Sequence, residues 1–182
     1  MRTFIALPIP GEIKNIMADT EDELKSCHLD CRWVKPEKMH LTLKFLGEVD
    51  EAQVEPIKKV ITRAANAFSS MIVNLQGYGF FPSQYNPRVF YISTDHESML
   101  MNIADFLENE LKKLGFKKEH RFRSHITLAR LRSSRNIDCI ERKMRIHPPQ
   151  GCFSLNEIIL FQSRLSGKGA AYQPLFKASF RP

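Results

Sequence analysis

Met39-His40-Leu41-Thr42-Leu43-Lys44-Phe45-Leu46 is an apolar, β-prone stretch, and its centre returns 85 residues later as His125-Ile126-Thr127-Leu128-Ala129-Arg130-Leu131. In a strand, side chains two apart share a face, so the His and Thr of each word point the same way. The offset is close to half of the 182-residue chain. That spacing predicts an α+β protein of two pseudo-symmetric lobes, with residues 1–94 and 95–182 each contributing one His-x-Thr-Leu strand. The expected architecture is a single bilobal domain, with two antiparallel sheets lining a central cleft and helices on the outside.

The flanking sequence supplies the rest of each lobe. Thr3 to Pro8 reads as a first strand, and Gly11 to Leu24 places Ile13, Ile16, Met17, Thr20 and Leu24 at helical spacing. After the first word, Asp50-Glu51-Ala52-Gln53 forms a capping box for a helix that buries Val54, Ile57, Val60, Ile61 and Ala64. Met71 to Tyr78 and Val89 to Ser93 read as strands joined by the turn-rich loop Phe81 to Arg88. Leu100, Ile103, Leu107, Leu111 and Leu114 make a helical stripe ended by Gly115. A shorter helix starts at Asn136 with Ile137, Ile140 and Met144 inward, followed by strands Phe153 to Phe161 and Tyr172 to Phe180.

Composition narrows the functional classes. No apolar run approaches the roughly 18 residues needed to span a bilayer, and Met1 to Pro10 reads as a strand stopped by prolines rather than a secretory signal. A cytoplasmic protein is expected, monomeric by default for want of an exposed heptad or apolar patch. Cys27, Cys31, Cys139 and Cys152 are too few and scattered for a disulfide framework and read as reduced thiols. Cys27-His28 with Cys31 lacks a second ligand cluster of matching spacing, so neither a metal nor any other cofactor is expected. The formal charge is +7. Its excess gathers late, in Lys112-Lys113, Lys117-Lys118, Arg121, Arg123, Arg130, Arg132, Arg135, Arg142, Lys143 and Arg145, which favours an anionic partner such as a nucleic acid or nucleotide phosphate.

Two imidazoles with ordinary pKa values near neutrality can serve one reaction as general base and general acid, and each Thr hydroxyl can hold an acceptor oxygen beside them. His40, His125, Thr42 and Thr127 are therefore the candidate catalytic residues, in a pattern suited to phosphoryl chemistry without a metal. Lys44 shares strand parity with His40 and Thr42 and is a candidate phosphate ligand. Strict alternation puts Arg130 on the face opposite His125, but a bulge or strand end would redirect it toward a phosphate, so it too is a candidate. Phe45, Phe81 and Tyr91 are candidates for stacking on a terminal base. His28, His96, His120 and His147 lack a paired Thr and are expected on the surface.

Residues 33 to 48, Trp33-Val34-Lys35-Pro36-Glu37-Lys38-Met39-His40-Leu41-Thr42-Leu43-Lys44-Phe45-Leu46-Gly47-Glu48, together with Ser124-His125-Ile126-Thr127-Leu128-Ala129-Arg130, closely resemble the RNA 2′,3′-cyclic phosphodiesterases. These enzymes, also called 2′-5′ RNA ligases, belong to the two-histidine phosphoesterase superfamily. The likeness runs nearly end to end, through Arg2-Thr3-Phe4-Ile5-Ala6, Phe81-Pro82 with Pro87-Arg88-Val89, and Leu160-Phe161-Gln162-Ser163 with Gly169 and Tyr172. Ser124 departs from the pattern, since members often carry Pro there, and a looser start to the second strand is expected. The resemblance implies metal-free hydrolysis of an RNA 2′,3′-cyclic phosphate end to a 2′-phosphate, with His40 protonating the departing 3′ oxygen and His125 activating water. Two other readings stand beside it: the reverse, 2′-5′ ligation, and a non-catalytic protein that binds nucleotide or RNA.

Overall fold

The first strand, β1 (Arg2–Pro8), is buried continuously from Thr3 to Leu7, as expected of a strand covered on both faces. It lies inside one half of the nine-strand antiparallel ladder seen in the computed structural model, which describes residues 1–118, 122–166 and 169–182. The chain continues through α1 (Gly11–Lys25), β2 (Cys31–Trp33), a 3-10 turn at Pro36–Lys38, β3 (His40–Glu48) and α2 (Glu51–Ala67). Then come β4 (Met71–Phe81), β5 (Val89–Thr94), α3 (Glu97–Lys112), β6 (Ile126–Leu131), α4 (Ile137–Ile146), β7 (Cys152–Leu155), β8 (Glu157–Ser166) and β9 (Gly169–Ser179).

Strand order is β7-β4-β5-β6-β3-β1-β8-β9, with β2 paired to β6. Two four-strand groups thus meet at β6 and β3, and the paired contact between those strands is Leu41 with Ile126. In space the groups are not the two halves of the sequence. β1 and β3 are joined by β8 and β9 from the far end of the chain, while β4 to β7 form the other group. The stretch expected as one strand, Phe153 to Phe161, is accordingly two: β7 pairs with β4, and β8 crosses to pair with β1. One contiguous apolar core runs through both groups, from Ile5 and Leu41 to Ile126 and Leu155.

Helix α2 begins as its sequence predicts, with Asp50 and Gln53 making reciprocal capping bonds. It packs on α3 and against β8 and β9, while α3 lies against β3. Cys27, just beyond α1, forms a disulfide with Cys139 in α4. This corrects the expectation of four reduced thiols: residues 112 apart in sequence become neighbours only through the fold, which spacing along the chain does not reveal. Lys143 reinforces the joint by donating to the Glu23 carbonyl and to Ser26 Oγ. Among the described residues, no helix is long and apolar enough to cross a membrane. His120 and Arg121 lie outside the described residues.

Candidate active site

The local symmetry of the site follows from the seam. Continuing the antiparallel register through Leu41 and Ile126 sets Thr127 across from His40 and His125 across from Thr42. All four side chains line one cavity of about 510 Å³. The two histidines are close enough for a charge on His125 to disfavour one on His40.

Each ring is held in the same way. Nδ1 lies 2.8 Å from the carbonyl oxygen two residues earlier, Lys38 for His40 and Arg123 for His125. A carbonyl only accepts, so Nδ1 carries the proton in the neutral ring and Nε2 is left with its lone pair. Burial pushes His40 from 6.5 down to about 4, helped by His125 and Arg130 and opposed by the Lys38 hydrogen bond. Burial also lowers His125, with Arg130 adding to it and the Arg123 carbonyl opposing it.

The aromatic settings of the rings differ. Phe4 and Tyr172 pack on His40, with centroids 4.8 and 5.2 Å away, whereas Phe81 meets His125 edge-on at 4.9 Å. Phe81 stacks in turn on Tyr91 at 4.4 Å. Tyr91 is only 4% exposed, and its hydroxyl lies close enough to the Arg123 guanidinium to favour that residue's charged form. It does not line the groove, so the structure corrects its expected role as a base-stacking surface: it backs Phe81 and His125. Gly79, its strand partner, makes room for the ring, because a Cβ there would run into the Tyr91 hydroxyl.

Bulges decide what else reaches the groove. On β3, Thr42 pairs with Ala6 and Lys44 with Ile5, which leaves Leu43 unpaired. The extra residue reverses parity. Lys44 therefore turns away from His40, is 1% exposed, and forms a 2.9 Å ion pair with Glu108 of α3 while donating to the Lys117 carbonyl. The expectation that it contacts phosphate is corrected accordingly. Phe45 takes its place on the groove wall, 51% exposed.

The second word repeats the device. Tyr91 pairs with Thr127 and Phe90 with Ala129, leaving Leu128 unpaired, so Arg130 comes round to line the groove. Phe45 and Arg130 thus occupy equivalent positions, five residues after their histidines. Ser124, expected to loosen the start of the strand, is buried with its hydroxyl 2.6 Å from that of Thr94. That bond ties the start of the second word to β5.

Several groove residues stand outside the candidates drawn from the two words. Phe4 and Tyr172 reach His40 only through the pairing of β1 with β3 and β8 with β9. Arg2, Arg32, Lys35 and Lys38 also line the cavity, and among its described lining residues there is no Asp or Glu. Thr3 lines it too, with a buried hydroxyl that has no hydrogen-bond partner among the described residues. Among those residues, no group of three or more His, Cys, Asp or Glu side chains is arranged to hold a metal ion.

The family described as LigT like Phosphoesterase matches twice, over residues 7–91 and 92–172, so the duplicated word belongs to a duplicated unit. A Thermotoga maritima protein named RNA 2′,3′-cyclic phosphodiesterase is 33% identical over 181 residues, covering 99% of this chain and 96% of that protein. The crystal structure of a Thermus thermophilus protein superposes with a TM-score of 0.82 at 26% identity, covering 100% of this chain and 98% of the other. Escherichia coli LigT complexed with 3′-AMP gives a TM-score of 0.77 at 23% identity, with 98% of this chain and 96% of that chain covered. Two matches that together span most of the chain, each containing one His-x-Thr-Leu strand, show that this protein belongs to the LigT-like phosphoesterase family.

Proposed function

We propose that this protein hydrolyses RNA 2′,3′-cyclic phosphate ends to 2′-phosphates by metal-independent acid–base catalysis, with His40, His125, Thr42 and Thr127 as the catalytic residues. The observation that carries the reading is the antiparallel seam at Leu41 and Ile126, which surrounds one cavity with both His-x-Thr pairs. The names of the relatives support the same substrate. Opening a strained five-membered cyclic diester needs in-line water, a base on its side and an acid on the leaving side. Two imidazoles with Nδ1 tied back offer Nε2 atoms for both tasks. Each positioned acid or base typically contributes about 10²- to 10⁴-fold, and the Thr hydroxyls and Arg130 donate to the nonbridging oxygens as their charge grows.

His125 takes the proton of the attacking water, and the P–O3′ bond breaks as His40 delivers its proton to O3′. The phosphodiester anion raises both depressed pKa values when it binds, which restores the charged form on the acid. Phe45 and Phe81 offer ring surface to the terminal base.

The test is to incubate the protein with cyclic-phosphate-ended RNA in excess chelator and identify the product end. A 2′-phosphate formed at an undiminished rate is expected. A 3′-phosphate, or activity lost on chelation and restored by a metal, contradicts the reading. The roles separate with a 3′-thio leaving group, which departs without a proton: His40→Ala then recovers rate, and His125→Ala does not.

A further inference from the structure

The cavity holds more positive charge than a cyclic end can use. A cyclic mononucleotide phosphate carries one negative charge, whereas Arg130, Arg32, Lys35 and Lys38 line the groove and no Asp or Glu does so among the described residues. None of these four has an ion-pair partner among the described residues, unlike Lys25, Lys58 and Arg63 elsewhere on the surface. Their order is set by the backbone: Arg32 of β2 is the direct cross-strand partner of Arg130 in β6, and Lys35 and Lys38 follow on the turn that leads into His40. Like charges directly opposite on an antiparallel pair are destabilising. Two guanidinium groups held so, facing one cavity, are reconciled by an anion between or beyond them.

We infer that Arg32, Lys35 and Lys38 bind the backbone of an oligonucleotide, so that the strand upstream of the terminal cyclic phosphate leaves the reaction centre along β2 and the Pro36–Lys38 turn. The inference rests on the reading that the groove processes a terminal RNA phosphate, and it adds where the rest of the RNA lies. Arg130 serves the terminal phosphate; the other three serve the phosphates that precede it. Trp33 and Val34, which line the same wall, give the intervening sugars and bases an apolar surface to lie on.

Neutralising phosphates releases counterions, so the number of contacts is read from salt dependence, with a slope of about −0.7 per contact for single strands. The probes are a tetranucleotide RNA ending in 2′-phosphate and a nucleoside 2′-phosphate, neither of which needs turnover to be measured. Four contacts give the tetranucleotide a slope near −2.8, roughly a fifty-fold weakening from 50 to 200 mM salt. One contact gives the mononucleotide a slope near −0.7. In the variant Arg32→Gln with Lys35→Gln, the tetranucleotide slope drops to about −1.4, roughly seven-fold over the same range. The mononucleotide slope of this variant stays at about −0.7.

Equal slopes for the two probes, or an unchanged slope in the variant, overturn the inference. So does equal loss with both probes, which assigns the two cations to the terminal phosphate. So does a variant that weakens ATP but leaves the tetranucleotide untouched, which makes the wall a polyphosphate site. If wild-type protein turns over no cyclic phosphate while the tetranucleotide slope stays steep and falls in the variant, the catalytic reading fails and the track stands.

Discussion

Among the single residues, Lys44 separates what strand parity suggests from what the fold does. Its ammonium is buried against Glu108, and removing one partner of a buried ion pair costs about 3–5 kcal/mol. Lys44→Ala is therefore expected to lower unfolding free energy by about that amount in urea titrations. At a temperature where the variant stays folded, its kcat/KM on a cyclic mononucleotide should remain within about twofold of wild type. A variant of normal stability whose turnover collapses would instead make Lys44 a ligand of the reacting phosphate. Arg130 is the converse case, because regular alternation favoured Lys44 over Arg130 and the structure reverses both. The two histidines and their threonines were legible because they precede the bulges; Phe45 and Arg130, also named as candidates, line the groove only because the bulges at Leu43 and Leu128 carry them there.

The elements explain why. A bulge is one unpaired residue in a ladder, and its position depends on both strands, so neither word announces its own. Here the same Leu is extruded in both words, which keeps the pseudo-symmetry while exchanging an aromatic ring for a guanidinium at the equivalent groove position. The helices and the strands flanking the words were legible from periodicity, and the capping box of α2 from four residues. Short β2 was not, because three residues carry no period. It is nonetheless the strand that sets Arg32 against Arg130. The break between β7 and β8 was hidden for another reason: both are apolar strands, and only the pairing shows that the chain changes groups at Asn156.

At the scale of the whole molecule, the duplication puts two desolvated imidazoles into one cavity, and that has a thermodynamic signature. Folded pKa values below the unfolded value mean that the unfolded chain binds more protons in that interval, so stability rises with pH there. The contribution is complete above pH 6.5 and is lost as the pH falls toward about 4, the value to which His40 is lowered. The wild-type Tm should therefore fall across this window by more than that of His40→Gln, measured by circular dichroism; parallel curves would mean that His40 is not depressed. Both free-protein values being low also places the bell-shaped kcat/KM profile on the acidic side of neutrality, whichever ring is the acid. The disulfide between Cys27 and Cys139 is a whole-molecule feature as well, invisible until α1 and α4 are brought together.

The central claim is that both imidazoles act on one phosphorus atom. Single-turnover hydrolysis of a cyclic-phosphate-ended RNA by folded His40→Ala and His125→Ala tests it most directly. Each variant is expected to lose about 10²- to 10⁴-fold in the rate of the chemical step, with wild-type Tm at pH 8, where both rings are neutral. Near-wild-type chemistry in either variant would contradict the account.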